Sequence, residues 1–264
     1  MRIVVLVKPV PDPAAGSERL GADFRLDRAA SPAVVNANDE YALEAALKLV
    51  EEHGGEVTVL SMAGSAAPET IRKALAMGAA AGMHVADASL AGSDVVSTTR
   101  VLAAALRGLE ADLIFAGADT SDGGAGLVPA GVAALLRLPY LSYAAKIEPD
   151  PSAGRVKVHR ISATGFDVLE APMPAVIACT QALGAPRYPS LKGIMAARSK
   201  SVENASFDGI RAAVGDAAIG GEASATTVVA AEPPPPRAAT RVIREAPDEA
   251  ARQVVAFLAE RRII

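Results

Sequence analysis

Four short apolar runs, residues 3–8, 57–61, 83–86 and 113–116, alternate along the first half of the chain with helix-patterned segments. This alternation limits what the chain can fold into more than any single motif does. Ile3-Val4-Val5-Leu6-Val7 is continuous and β-branched, the pattern of a strand buried on both faces of a parallel sheet. Residues 39–53 place Ala42, Leu43, Ala46, Leu47 and Val50 on one side and stop at Gly54-Gly55, which predicts the first crossover helix. Pro68 and Glu69 suit the first turn of a second helix, ended by Gly78. Ser93 or Asp94 is placed to cap a third, carrying Val95, Val96, Val101, Leu102 and Leu106, and residues 126–136 read as a fourth with Pro129 in its first turn. Strands alternating with helices of this length predict an α/β sandwich: a parallel sheet, right-handed crossovers and helices on both faces.

In such sheets ligands bind at the carboxyl ends of the strands, where loops run into helix N-termini. "GADTSDGGAG", positions 117–126, stands there, directly after the fourth strand. Its glycines let backbone approach a ligand closely, and successive amides feeding a helix N-terminus can cradle phosphate. The stretch matches neither the G-x-x-x-x-G-K-[ST] phosphate loop nor the G-x-G-x-x-G dinucleotide fingerprint. The residues alone therefore leave two readings open, a nucleotide phosphate site and a surface loop.

Other chemistry is thinly supplied. Cys179 is the only cysteine, so an internal disulfide and a cysteine-built zinc site are both excluded, and on an apolar strand it reads as an inert core thiol. His53, His84 and His159 are far apart in sequence and form no ligand pair. No nucleophile stands beside a base, and there are no paired catalytic carboxylates. A net charge of −4 gives nucleic acid no general electrostatic reason to bind. No apolar run approaches the roughly 20 residues that span a bilayer, and the first apolar run is too short for a signal peptide. The expectation is a cytoplasmic protein without direct membrane insertion.

After residue 140 the pattern changes. Residues 140–147, 156–161, 165–170 and 175–180 are strand-like and separated by Pro, Asp and Gly, a β-rich addition that extends the sheet or forms a small flap. Pro186-Arg187-Tyr188-Pro189-Ser190-Leu191-Lys192-Gly193-Ile194-Met195 follows, presenting Arg, Tyr, Leu and Met between restricting prolines. Periodicity weakens from about residue 201. A run of prolines at 233–236 then precedes an amphipathic stretch, 248–264, with Val254, Val255, Phe257, Leu258, Ile263 and Ile264. A polyproline spacer and terminal helix make an arm, and its apolar face needs a surface to lie on. The expected organisation is a core over 1–200, with a recognition segment at 184–200, and a linker and arm over 201–264.

These residues resemble the β subunit of the electron transfer flavoproteins, including its FixA-type members. The opening Ile3-Val4-Val5-Leu6-Val7-Lys8-Pro9-Val10-Pro11-Asp12 is similar to that family's first strand. "NANDEYALEAALKL" resembles its Asn-Pro-Phe-Asp-Glu helix start, "GGEVTVLSMAG" and "ETIRKALAMGA" its second βα unit, and "LAGSDVVSTTRVLAAAL" the FixA form. "PRYPSLKGIMAARSK" is the most specific of these, and the likeness covers nearly the whole chain.

The resemblance implies an adenine-nucleotide-binding sandwich of the HUP type with an extended C-terminal arm contacting an α subunit. It implies a heterodimer with the electron transfer flavoprotein α subunit, whose FAD this chain helps enclose, and a bound AMP. Electrons would come from flavin dehydrogenases such as acyl-CoA dehydrogenases, relevant to fatty acid β-oxidation, and pass to a quinone oxidoreductase. In a bifurcating alternative a second FAD takes the AMP position. Such a subunit is an electron carrier without catalytic residues of its own, because the cofactor does the redox chemistry and the protein supplies distance, orientation and electrostatics.

Carried over residue by residue, the resemblance assigns to the nucleotide Leu6 on the first strand, Asn36, Ala37, Asn38 and Asp39 at the first helix start, and Met62 after the second strand. The phosphate loop would be Gly117, Ala118, Asp119, Thr120, Ser121, Asp122, Gly123, Gly124, Ala125, Gly126, Leu127 and Val128, with the amides of 123–126 aimed at the phosphate and Asp122 acting as ligand, helix cap or both. Partner recognition would fall to Arg187, Tyr188, Leu191, Ile194 and Met195, with Leu191 as the anchor. The chain departs from the family's Asp-Gly-Asp-Thr-Gly-Gln-Val wording at Gly124, Ala125 and Leu127, where three polar side chains are missing. It also has Asn36-Ala37-Asn38 in place of Asn-Pro-Phe, which removes an aromatic that can touch the flavin edge. Two rivals share the architecture. A stand-alone stress-type nucleotide sensor leaves the recognition segment and arm without purpose, and an ATP-pyrophosphatase-type enzyme needs a Ser-Gly-Gly-x-Asp-Ser loop where Lys8-Pro9-Val10-Pro11-Asp12 stands.

Overall fold

β1 (Arg2–Leu6) is central to a nine-stranded sheet because both of its faces are apolar: Ile3 and Val5 enter one helix layer, Val4 and Leu6 the other. The remaining elements, in chain order, are β2 (Pro9–Pro11), β3 (Ala33–Val35), α1 (Ala37–His53), β4 (Glu56–Met62), α2 (Ala67–Met77), β5 (Ala81–Val85), α3 (Val95–Leu106), β6 (Leu113–Gly117), α4 (Val128–Leu136), β7 (Tyr140–Asp150), β8 (Arg155–Ser162), β9 (Gly165–Pro172), β10 (Ala175–Cys179), α5 (Leu191–Ala197), β11 (Val202–Asn204), α6 (Phe207–Val214) and α7 (Pro247–Glu260). The computed structural model describes every residue except 17, 65–66, 216–218, 233–234 and 237–239, so the first two prolines of the 233–236 run lie outside the described residues.

The sheet order is β11-β5-β4-β1-β6-β10-β7-β8-β9. From β11 to β7 the pairings are parallel, with Ile3 opposite both Val57 and Leu113. β4 lies on one side of β1 and β6 on the other, so the winding reverses between β1 and β6, the place where an open α/β sheet leaves a crevice for ligands. α1 and α2 close one face over Phe115, Ile177, Leu43 and Leu75. α3 and α4 close the other over Leu60, Val85, Val101 and Val132. Asp94 caps α3, its Oδ1 accepting from the Ser97 N–H at 2.8 Å, and Pro129 sits at the start of α4 as its fixed φ allows.

The β-rich addition extends the sheet. β10 inserts parallel between β6 and β7, and β7, β8 and β9 run antiparallel to one another beyond it. Their burial is one-sided: Val156 and Val158 are buried while Arg155 and Lys157 face out, the alternation of a sheet covered on one face. That leaves Tyr143, Phe166 and Val168 exposed. Cys179 is fully buried at the end of β10, and burial, with the nearby Asp39 carboxylate, pushes its thiol up, away from the reactive thiolate.

Past residue 201, where periodicity weakens, β11 still adds an edge strand to β5, and Ile210 of α6 is buried in the α3 layer. The chain divides into two units, Met1–Val229 and Ala230–Ile264. In the second, α7 starts at Pro247 with Asp248 and Glu249 in its first turn, and Val254 and Val255 remain exposed. Among the described residues no helix is long and apolar enough to cross a membrane.

Candidate functional site

One carboxylate stands at the base of the crevice between β1 and β6. Asp39, in the first turn of α1, accepts the Lys8 N–H at 2.8 Å through Oδ2 and the Gly117 N–H at 3.1 Å through Oδ1, joining the ends of the two strands. A methyl group on Gly117 would overlap Asp39 Oδ1 and stand 2.7 Å from Asn38 Cβ, so only glycine lets α1 come this close. Burial raises the Asp39 carboxyl to about 7 against the opposing pull of Asn36, Lys8 and Gly117.

Two asparagines fasten the glycine-rich loop to the same helix start. Asn36 Nδ2 and Asn38 Nδ2 both donate to the Asp119 carbonyl, at 2.9 and 3.1 Å, and Asn36 Oδ1 accepts the Ser121 N–H at 3.2 Å. Asn36 precedes α1 without capping it through its side chain, because that side chain is committed to the loop. The loop also folds on itself. Asp119 Oδ1 accepts from Thr120 at 2.7 Å and Gly126 at 3.0 Å, and the Gly124 N–H donates to the Thr120 carbonyl at 3.0 Å. Of the amides expected to face phosphate, those of Gly124 and Gly126 thus have internal partners. Gly124 and Gly126 take φ of +57° and +59°, and a Cβ on Gly124 would meet nothing within 4 Å, so the outer side of the turn is open.

Asp122 is the charged centre of the loop. Its side chain is 1% exposed, with Lys8 Nζ at 2.8 Å on Oδ1 and Arg28 Nη2 at 2.5 Å on Oδ2. Burial works against its charge, yet the Lys8 and Arg28 bonds prevail and hold the carboxyl at about 2. Ala37, Ala118, Ala125, Leu127 and Val128 complete the loop and helix starts without a recorded side-chain polar contact, and Leu127 is exposed. Leu6 and Met62 sit at the ends of β1 and β4, both packed in the α3–α4 layer.

The structure therefore brings Asn36, Asn38, Asp39, Gly117, Asp119, Ser121, Asp122, Gly124 and Gly126 into one hydrogen-bonded unit, to which sequence reasoning had not assigned Lys8 and Arg28. Lys8 had a signal, a cation placed directly after a buried strand. Arg28 had none, standing 94 positions from Asp122. A second concavity, lined by Ser142, Tyr143, Arg160 and Ile161, opens on the β7–β8 strands. It offers strand surface and an Arg160–Asp167 pair at 2.6 Å, without the convergence of charged side chains and asparagines that the loop and the α1 start show at the switch point.

The segment expected to recognise a partner is tied to α1, α2 and its own cap by hydrogen bonds. Arg187 donates to Glu44 at 2.7 Å and to Glu51 at 2.5 Å, two α1 carboxylates that it holds below the usual range, Glu44 despite the cost of burial. Ser190 caps α5 by accepting from Gly193 at 3.0 Å, while Arg72 donates to the Ala197 carbonyl at its far end at 2.6 Å and Lys200 to the Ala79 carbonyl at 2.6 Å. From this mount Tyr188 (94% exposed) and Leu191 (78% exposed) project with Ile194 and Met195, also exposed. Leu191 is thus not a core residue of its own chain, and the Arg187 guanidinium is committed to α1.

Comparison with known proteins gives this arrangement relatives. Residues 23–209 match the electron transfer flavoprotein domain family. The chain is 42% identical over 206 residues to the electron transfer flavoprotein subunit beta of Mycobacterium tuberculosis, covering 76% of this chain and 77% of the relative. It is 32% identical over 271 residues to the subunit of the same name from Clostridium acetobutylicum, covering 100% of each. A third relative, the acryloyl-CoA reductase electron transfer subunit gamma of Anaerotignum propionicum, is 37% identical over 204 residues, with 76% of this chain and 75% of the relative covered.

Proposed function

Because this chain belongs to the electron transfer flavoprotein β-subunit family, we propose that it is the β subunit of a heterodimeric electron carrier that binds AMP at the β1–β6 switch point and helps an α subunit enclose FAD. It accepts electrons from flavin dehydrogenases, acyl-CoA dehydrogenases among them, and passes them to a quinone oxidoreductase. The observation that carries the reading is the α5 mount: an apolar anchor left out of the core on a segment fixed by Arg187, Arg72 and Lys200. Such an anchor docks transiently with little ordering cost. The exposed Tyr143, Phe166 and Val168 on the outer strands, and the exposed valines of α7, are further surfaces suited to the α subunit.

The residues at the switch point fit a nucleotide. Asn36, Asn38 and Asp39 hold the loop in place before ligand arrives, Lys8 and Arg28 stand over it, and the turn at Gly124 is open on its outer side. Bound FAD would supply the electron chemistry; this chain contributes wall, distance and field. Asn38 stands where the family can place an aromatic, and its amide is engaged with Asp119, so the flavin edge is met differently here.

A second reading stays within the same site. The turn at Gly124 is open on its outer side, and the alternative it leaves is the second FAD of a bifurcating complex at this position. Purifying the chain with its α subunit and quantifying the released ligands separates the two: one FAD and one AMP per heterodimer is the expected result, two FAD and no AMP moves the protein to the bifurcating branch, and no flavin overturns the assignment. Leu191→Ala tests the docking face. It should slow electron acceptance from a dehydrogenase while leaving bound ligands unchanged, and unaltered transfer kinetics would remove Leu191 from the mechanism.

A further inference from the structure

The described residues between β2 and β3, 12–16 and 18–32, form a strap across the mouth of the site. Its stem is the β2–β3 pair, and its outer part folds as a small hairpin through the Leu20–Leu26 bridge and the Gly21 N–H to Arg25 carbonyl bond at 2.7 Å. Arg28 reaches Asp122 in the loop after β6, while the Arg25 guanidinium occupies the space that a side chain on Gly92, after β5, would need. β5 and β6 are separated in the sheet by β4 and β1, a span of about 14 Å at the usual strand spacing. The strap therefore passes over the ends of β1 and β4, where Leu6 and Met62 lie.

Three charges under the strap do not cancel. Asp122 carries one negative charge and faces two cations, Lys8 (37% exposed) and Arg28 (52% exposed). The other loop carboxylate, Asp119, is turned back on its own chain and holds the Thr120 and Gly126 amides. The Gly124 amide is also taken. A phosphate arriving at this turn finds fewer backbone donors than the glycines promise, and the side chains that the family wording would supply are absent at Gly124, Ala125 and Leu127.

We propose that Lys8 and Arg28 supply the phosphate recognition at this site: the phosphate of an adenosine 5′-phosphate group binds beneath the strap on these two cations, and Arg28 ties the strap down over it. This rests on the nucleotide reading above. The Lys8 ammonium keeps a donor near Thr120 Oγ1, at 3.5 Å, and close to Gly123, whose added Cβ would stand 3.6 Å from Nζ. The ammonium thus stands beside the glycine turn, next to Thr120 and Gly123. An arginine suits the second position because its fork of donors can hold the Asp122 carboxylate and a phosphate oxygen together. The group is common to AMP and to the adenosine half of FAD, so the recognition holds for either ligand.

The test uses the complex with the α subunit, cleared of nucleotide and titrated calorimetrically with AMP, FAD and adenosine. Wild type should bind AMP or FAD more tightly than adenosine, with an affinity that falls as ionic strength rises while that for adenosine does not. Arg28→Gln should weaken the phosphate-bearing ligand about tenfold or more, the scale of one charged hydrogen bond, leave adenosine unchanged, and be partly rescued by Arg28→Lys. An Arg28→Gln complex that binds the phosphate-bearing ligand as wild type does, or that loses it and adenosine equally, overturns the proposal while leaving the nucleotide reading intact. Wild type that binds neither AMP nor FAD overturns both. The salt dependence of the wild-type affinity stands as an independent readout should the variant fold poorly, and a flat dependence counts against the proposal.

Discussion

Gly117→Ala isolates the step on which the site geometry depends. The added methyl would overlap Asp39 Oδ1 and come within 2.7 Å of Asn38 Cβ and 2.8 Å of the Asn38 carbonyl carbon, so the first turn of α1 must move away from β6. Overpacking against backbone costs about 1–3 kcal/mol. The displacement also stretches the Gly117 N–H to Asp39 bond, now 3.1 Å, inside a fully buried pair. Losing one hydrogen bond to a charged buried group adds about 1.5–3 kcal/mol, giving about 2.5–6 kcal/mol together and a fall in melting temperature of about 5–24 °C for a chain of this size. Gly124→Ala is the matched control: the space around it is open, and its φ of +57° costs a non-glycine residue only about 1–2 kcal/mol. Thermal unfolding of the two variants in complex with the α subunit, alongside bound nucleotide content, compares them directly. Gly117→Ala should melt well below Gly124→Ala and carry less nucleotide. Equal melting temperatures would refute the claim that the α1–β6 approach holds the site together.

Asp39 predicts a pH dependence with a defined sign. Its carboxyl sits near 7 in the folded chain against an ordinary value of 3.8, so its contribution to stability is full below about pH 4 and is lost as pH rises to about 7. Asp39→Asn should flatten the melting temperature between pH 4 and 7, an effect on the order of a few kcal/mol, and an unchanged slope in the variant would show that Asp39 does not titrate there. Arg187→Ala removes the principal partner of the nearly buried Glu44, leaving Lys48 at 3.5 Å. The variant should lose about 1–3 kcal/mol of stability, less than a fully buried pair because the guanidinium is partly solvated. It should also slow transfer from a dehydrogenase as Leu191→Ala does, but through a loosened mount, visible as faster proteolysis around α5. Leu191→Ala itself should leave stability within about 0.5 kcal/mol, because its side chain is largely exposed.

β1, β4, β5 and β6 and the helices α1 to α4 between and after them were legible because each is decided within its own window. The Ile3-Val4-Val5-Leu6 run, the apolar face of α1 and the Asp94 cap of α3 need no distant information. β10 was legible as a strand but its place was not: it pairs with β6, some 60 positions earlier, on one side and β7 on the other, and nothing local distinguishes that insertion from a flap. β2 and β3 were hidden for another reason. Three residues each, two of them prolines in β2, give no periodicity to read. The strap they support therefore carries no periodic signal of its own, and neither does Arg28 within it.

The glycine-rich stretch shows how a locally correct reading stops short of the chemistry. Glycines after a buried strand do mark a close approach, and at Gly117 the approach is that of α1 to β6. The positive φ at Gly124 and Gly126 shapes a turn whose own carbonyl and carboxylate then bind the amides of these same residues. A buried or half-buried amide needs a partner, and Asp119 provides one for Thr120 and Gly126, so the loop is held in shape by donors that a phosphate would otherwise use. Charge must then come from side chains outside the loop. Lys8 is set by lying directly beyond β1, while Arg28 is carried by the strap and held through its guanidinium by the Pro9 carbonyl and the Asp122 carboxylate, so that opening these two bonds would free it without unfolding the sheet. A site with one permanent and one releasable cation can admit and retain a nucleotide with the same residues. On that argument Arg28 variants should alter the lifetime of the bound nucleotide more than the rate at which it enters.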